Sequence, residues 1–310
     1  MPSPQAEEYL EAIARLEERG QPVTTSALAK ECQVSAPTAT EMLRRLTDLG
    51  LITREPRREA ILTDEGRKIA STVLRRHRLW ERFLHDVLGL RWDALHEQAC
   101  ELEHATSPEL EQWLAETVSA SPTCPHGHAI PGVAAVTETG ALAPLSTLQA
   151  GQTARVHSIT REESKLLQQL DSLGLRPGAI VRRSGSVRSD GDLSLTIGGK
   201  SAHIAQQIAD RVLVRLISDN EVATRVVENI PLSALAPNQV GTIQGYSGGR
   251  GIMGRCLALG FTPGAEVKMI RNGGQGPIIV LVRDTRVALG RGQASRIWVC
   301  RGELDGATSE

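Results

Sequence analysis

From Ala6 to Arg19 the apolar residues Ala6, Tyr9, Leu10, Ile13 and Leu16 recur at three- and four-residue steps, the period of one helix face. This spacing predicts an amphipathic helix that Gly20 ends. Thr24-Thr25-Ser26 opens a short helix around Leu28 and Ala29. Ser35 is a good N-cap for the next helix, and Pro37 falls where its missing N–H costs least. That helix carries Met42, Leu43, Leu46 and Leu49 and stops at Gly50. Two short β-like runs follow, Leu51–Thr53 and Ala60–Thr63, around Arg54-Glu55-Pro56-Arg57-Arg58-Glu59. Three helices and a basic two-stranded hairpin predict a winged helix-turn-helix.

After residue 150 the pattern changes to short β-branched runs broken by Pro-Gly and Gly-Gly turns, and 22 of the 29 glycines lie there. The second half also repeats. Pro144–Leu148 matches Pro231–Leu235 at an offset of 87, Leu173–Ala179 matches Leu259–Ala265 at 86, and Ala209–Val214 matches Ala294–Val299 at 85. Ordered anchors at nearly constant spacing indicate a duplication of a unit of about 75 residues, each a small β-barrel. The expected fold class is α+β multidomain: a winged helix-turn-helix over 1–65, a helical unit over 66–140, and barrels over 141–217 and 229–302. Ser218–Asn229 reads as a polar linker.

Charge sharpens this division. The formal net charge of −1 argues against a nucleic-acid binder only if the chain is one object. Residues 1–91 hold 15 Lys/Arg and 14 Asp/Glu, residues 92–140 hold eight acids and no Lys or Arg, and residues 141–310 hold 20 bases and 14 acids. The five cysteines are scattered without a C-x-x-C pair, which suits a reducing cytosol better than a disulfide scaffold. The longest strongly aliphatic run, Ile278–Val282, is far too short to span a bilayer, and the N-terminus has no signal-peptide core. A soluble cytoplasmic protein is expected.

Two kinds of chemistry fit these segments. On the third helix Ser35, Thr38 and Thr40 can meet phosphates or base edges, and Arg44, Arg45, Arg54, Arg57 and Arg58 can neutralise phosphates. Together with Thr25, Pro37 and Glu41 they form the expected DNA-reading surface. Glu41 would repel phosphate unless it accepts from a cytosine amino group; a protein-binding winged helix is the alternative. The second chemistry is metal ligation. Cys100, Glu103 and His104 share a helix face, His96 lies one turn before Cys100, His77 and Glu81 are spaced i, i+4, and Glu8 and Glu11 are spaced i, i+3. Each pair alone is more often a solvated surface pair. Thiolate, imidazole and carboxylate together describe a site for a borderline divalent ion such as Fe²⁺ or Mn²⁺.

The order of winged helix, R-x-H-R-L-x-E-x-F-L, H-x-x-A-C-x-x-E-H and C-P-H-G-x-x-I-P-G resembles the diphtheria toxin repressor family of metal-dependent regulators, over about residues 5–133. The resemblance implies an activating site of Glu8, Cys100, Glu103 and His104, an ancillary site of His77, Glu81 and His96, and a dimer interface within 66–118. In the family's manganese-sensing branch His77 and Glu11 join a two-metal cluster, so either grouping stands. Iron-sensing members place methionine at the position of Glu8; a carboxylate moves the preference towards Mn²⁺, while Cys100 pulls towards Fe²⁺. They also draw ligands from the C-terminal SH3-like domain; Glu162 and Glu163 lie near the corresponding loop but are not assigned. Cys124, His126 and His128 could bind metal, although the family uses this segment as a connecting turn. The repeated pattern resembles the SH3-like FeoA domain, present here twice where the family more commonly has one or none.

The implied function is a homodimeric repressor, activated by up to two Fe²⁺ or Mn²⁺ ions per subunit, that binds palindromic operator DNA and controls metal-homeostasis genes. An adaptor for metal transport acting through its FeoA-like domains is the alternative. An enzyme is not expected: no nucleophile–base constellation is present, and Gly245–Gly251 lacks the Lys-Ser/Thr of a P-loop.

Overall fold

The computed structural model describes residues 2–55, 59–118, 122–133, 140–185, 192–217, 229–246, 256, 259–273 and 276–301. Arg57, Arg58, linker residues 218–228 and the glycine-rich 247–251 lie outside the described residues. Helices α1 (Pro4–Glu18), α2 (Thr25–Glu31) and α3 (Ala36–Asp48) precede a hairpin of β1 (Ile52–Arg54) and β2 (Ala60–Leu62), paired Ile52 to Leu62. Local chemistry sets each boundary. Ser3, Thr24 and Ser35 cap the three helices through side-chain oxygens, Pro37 sits in the first turn of α3, and Gly20 and Gly50 take positive φ just beyond α1 and α3. Tyr9, Leu10, Ile13, Leu28, Leu43 and Leu46 close the core of this unit, with Leu74 from the next helix.

That next helix, α4 (Asp64–Asp86), is capped by Thr63. It packs against α1, α5 (Leu95–Glu103) and α6 (Pro108–Thr117). A tight hairpin then crosses at Cys124–His128, with Thr123 bridged to Ala129.

The two β units have the same plan. The first holds β3 (Leu142–Pro144), β4 (Thr153–Ile159), α7 (Ser164–Ser172), β5 (Ile180–Arg183), β6 (Leu193–Ile197), β7 (Lys200–Ile204) and β8 (Val212–Ile217), in sheet order β3-β8-β4-β5-β6-β7. The second holds β9 (Asn229–Pro231), β10 (Val240–Tyr246), β11 (Glu266–Arg271), β12 (Ile278–Val282), β13 (Thr285–Leu289) and β14 (Ile297–Arg301), in the order β9-β14-β10-β11-β12-β13. Strand for strand the orders correspond, and all pairings are antiparallel. Even the irregularities repeat: the register shifts at Val156/Ser158 and at Ile243/Gly245, positions 87 residues apart. Asn229, expected at the end of the linker, opens β9.

The two copies differ in what they pack against. Leu84, Trp92 and Leu95 of the helical unit join Leu145, Val156, Leu167 and Val214 in one continuous core. The Trp92 indole donates to the Pro125 carbonyl (3.0 Å), and the Arg176 guanidinium lies 5.4 Å over its ring. Asp93 accepts from Ser164 and Gln168 of the first sheet unit. The second unit closes a core of its own around Ile243, Phe261, Met269, Val280 and Ile297. Among the described residues no helix is long and apolar enough to cross a membrane.

Gly127 ties the crossing hairpin to the first sheet. At φ +93 it lies so near the His157 carbonyl that a Cβ there would overlap it. Gly127→Ala is expected to destabilise the protein by about 3 kcal/mol or more. Gly20→Ala, at φ +64 in open space, adds only the left-handed backbone cost of roughly 1–2 kcal/mol. Equal losses for the two variants in denaturant unfolding would contradict this packing.

Candidate metal centre

Five segments deliver donor atoms to one interior. Helix α1 presents Glu11, α4 presents His77 and Glu81 a turn apart, and α5 presents His96, Cys100 and Glu103. The Cys124–His128 hairpin adds Cys124 and His126, and the turn after β4 adds Glu162. His77 is hydrogen-bonded to Glu103 Oε2 through Nδ1 (2.6 Å) and faces Glu81 through Nε2 (3.2 Å). The Cys100 thiol lies 3.9 Å from His77 Nδ1 and 3.8 Å from His96 Nε2. Glu162 Oε2 is 2.7 Å from His96 Nδ1, and its Oε1 is 3.6 Å from His126 Nδ1. His126 in turn meets Glu81 at 3.0 Å.

Among the described residues these contacts form four overlapping groups whose donor atoms lie within 4.8 Å of one another: His77–His96–Cys100, His77–Glu81–His96–Glu162, Glu81–Cys124–His126–Glu162 and Glu11–His77–Glu103. Three buried atoms of the cluster, Glu81 Oε2, Glu103 Oε1 and His104 Nε2, make no hydrogen bond, although the last two face each other at 3.3 Å. A buried polar atom without a partner costs about 1–3 kcal/mol, and lone pairs directed into such an interior are what a cation takes up. The donor set of hard carboxylates, imidazoles and one or two thiols fits a borderline divalent ion.

The electrostatics follow from burial set against close partners. Burial and the neighbouring Glu162 charge oppose ionisation of Glu81, yet His126 and His77 outweigh them and hold it well below the usual carboxylate range. Burial likewise opposes ionisation of Glu162, and Arg15 and His126 overcome it. At Glu103 burial prevails, pushing the carboxyl up to about 7. Burial disfavours the Cys100 thiolate, but hydrogen bonds to His77 and His96 bring the thiol down to about 6. His96 rises to about 9, burial being overcome by its bonds to Cys100 and Glu162.

Of the eight residues expected as ligands, Glu11, His77, Glu81, His96, Cys100 and Glu103 converge in these groups. His104 lies at the rim, 2.9 Å from Glu7, 3.3 Å from Glu103 Oε1 and 3.9 Å from Glu8. Glu8 itself is 59% exposed, and Cys100 turns towards His77 and His96 rather than towards it. Glu162 and the hairpin donors Cys124 and His126 were not among those eight. On the hairpin, His126 is fully buried between Glu81 and Glu162. Glu163 faces outward and pairs with Arg161 and Arg211.

On the winged unit, Ser35, Pro37, Thr38, Thr40, Glu41, Arg44 and Arg45 are exposed along α3, and Thr25 is half-buried at the start of α2. Ser35 Oγ accepts from the Thr38 backbone and lies 2.7 Å from its hydroxyl. Glu41 does not stand alone: Arg44 bridges it (2.6 Å) to Asp48 (3.1 Å). That network softens the repulsion expected of Glu41 and also spends part of the charge of Arg44.

An exposed helix-turn-helix face joined to a buried carboxylate, imidazole and thiolate cluster is the build of a metal-responsive DNA-binding regulator. The chain belongs to the iron-dependent repressor family. Residues 1–60 match its N-terminal DNA binding domain, 63–132 its metal binding and dimerisation domain, and 143–216 and 230–301 each match the FeoA domain. Among similar proteins, a diphtheria toxin repressor of Corynebacterium efficiens is 31% identical over 221 residues, 68% of this chain and 95% of the relative. An iron-dependent repressor IdeR of Mycobacterium tuberculosis is 34% identical over 187 residues, 56% of this chain and 81% of the relative. Among solved structures, a manganese-dependent transcriptional repressor in complex with manganese aligns at TM-score 0.63 and 32% identity, covering 68% of this chain and all of that one. The family is one of DNA-binding transcriptional repressors, not enzymes.

The thiols provide a test of the cluster. In chelator, Cys100 should alkylate with a midpoint near pH 6, since only the thiolate reacts. Cys32, which burial and Glu31 push up to about 12, should stay unreactive through neutral pH. Mass-spectrometric mapping of iodoacetamide adducts across pH checks both; a Cys100 midpoint near that of a free thiol would remove the His77–Cys100–His96 contacts.

Proposed function

We propose that the protein is a homodimeric transcriptional repressor activated by Fe²⁺ or Mn²⁺, with up to two ions per subunit, that binds palindromic operator DNA of metal-homeostasis genes. One observation carries this reading: the buried cluster joins α1 of the winged unit to α4, α5, the hairpin and the first sheet unit. A divalent ion, when bound, supplies the positive charge that links carboxylates from these segments. One ion would be held by Glu81, Cys124, His126 and Glu162, with His77 and His96 beside them. The other would be held by Glu103 and His104, with Glu8, Glu11 and Cys100 within their surroundings. The chain's own residues then fix α1, and with it α3, relative to the helical unit.

For two subunits, that restriction fixes the separation of paired α3 helices, which half-site spacing on the duplex demands. The free face around Phe83 favours dimerisation: Leu88 and Trp113 are half exposed, Leu110 is a third exposed, and Trp113 packs 5.7 Å from Phe83. A palindromic site matches such a two-fold pair.

Anaerobic fluorescence titrations of a palindromic operator probe with Mn²⁺ and Fe²⁺ test the reading. Glu103→Gln and His104→Ala should each weaken metal-stimulated binding by about 10–100-fold while leaving the fold intact by circular dichroism. Wild-type stimulation retained in both would defeat the assignment of these ligands; DNA binding indifferent to metal would defeat the reading as a whole. Glu8→Met should move the preference from Mn²⁺ towards Fe²⁺, since a thioether is the softer donor. An unchanged metal ranking would show that Glu8 does not govern selectivity.

A further inference from the structure

Arg15 follows Glu11 by one turn of α1, and its guanidinium reaches into the cluster. Nη2 and Nε both donate to Glu11 Oε1, at 2.8 and 3.1 Å. Nη1 donates to Glu162 Oε2 at 3.2 Å, joining the winged unit to a residue 147 positions away. Among the described residues, Arg15 is the only arginine or lysine that ion-pairs with any of Glu11, Glu81, Glu103 and Glu162. The oxygens it grips also face the imidazoles of His77 and His96, while Glu162 Oε1 faces His126 and His128. Glu162 Oε2 lies 2.7 Å from His96 and 4.0 Å from His77, and Glu11 Oε1 lies 3.8 Å from His77.

We propose that Arg15 sets the threshold for ion uptake at the Glu162 side of the cluster, acting as a built-in cation that an incoming divalent ion must displace. The inference rests on the reading of this cluster as a metal centre. A guanidinium cannot withdraw by losing a proton, because arginine stays charged inside proteins. Beside a dication on the same carboxylate it is a like charge in a water-poor interior, where Coulomb energies are several times those in water. Without an ion it does the reverse and offsets buried carboxylates that would otherwise repel. The side chain has somewhere to go. It lines a cavity of about 830 Å³ whose wall carries Glu18, Glu31, Glu97 and Glu163 alongside Arg19, Lys30, Arg78 and Arg161, with Glu97 in no ion pair among the described residues. Exchange of guanidinium for metal therefore replaces the direct Arg15–Glu162 tie with one through the ion, which then holds α1 to the helical unit in its place.

The test uses the full chain, stripped with chelator and titrated calorimetrically with Mn²⁺. Arg15→Met should bind the ion that engages Glu162 about tenfold more tightly than wild type or better. Arg15→Lys, which keeps a charge but one that can withdraw by losing its proton, should fall between wild type and Arg15→Met. In chelator Arg15→Met should melt below wild type, and saturating Mn²⁺ should close or invert that gap. Affinity unchanged or weakened in Arg15→Met overturns the proposal; weakening would make Arg15 a prop for the ligands instead. Arg15→Gln carries the same expectation should the methionine variant not fold, and failure of both to fold even with Mn²⁺ also overturns it. Absence of Mn²⁺ binding in wild type and Glu81→Gln alike would instead defeat the metal-centre reading, independently of Arg15.

Discussion

Four carboxylates, Glu11, Glu81, Glu103 and Glu162, lie buried in one interior, and the placement of the other segments depends on offsetting them. An ionised group removed from water costs several kcal/mol unless partners meet it with good geometry. Here the partners come from different parts of the chain: His77 from α4, His96 from α5, His126 from the hairpin and Arg15 from α1. A slip of any one segment by a residue would strand a charge. The cluster therefore selects the docking geometry even though apolar burial supplies most of the favourable energy. It also makes that geometry responsive, since any cation entering this interior changes what each segment must compensate.

The exposed face of α3 obeys a different rule. Its polar side chains sit in high dielectric, where the Glu41–Arg44–Asp48 network is worth little. Phosphates can compete for Arg44 at small cost, whereas Arg15 is held against the buried carboxylates Glu11 and Glu162. Similar residues thus serve opposite ends, recognition in water outside and charge compensation inside.

Much of this was legible in the sequence. Helix caps, the hairpin, the internal repeat and the i, i+4 pairs His77/Glu81 and His96/Cys100 follow from local spacing. The repeat was legible because duplicated strands keep duplicated turns. Glu162 and His126 were harder to read because their roles depend on docking, not spacing: 81 residues separate Glu81 from Glu162, and only the shared core around Trp92 brings them together. The adjacency of Glu162 to Glu163 was visible, but which of the two turns inward depends on how the chain leaves β4. The environment of Cys100 shows the same limit. Helical spacing placed it on a face with Glu103 and His104, while the packing of α5 on α4 turned its sulfur towards His77 and His96.

The duplicated sheet shows that copying a fold does not copy its surroundings. Residues 158–178 of the first copy contain Glu162, Glu163 and Asp171, whereas residues 245–265 of the second contain no acid at all. The first copy grew into a neighbourhood of imidazoles that gave a buried carboxylate something to answer. The second closed its own core, and its counterpart stretch carries glycines and arginines. Inheritance of shape and inheritance of chemistry have parted company within one polypeptide: one twin is bound to its ligand-bearing neighbours, and the other keeps the same strand order without the acids.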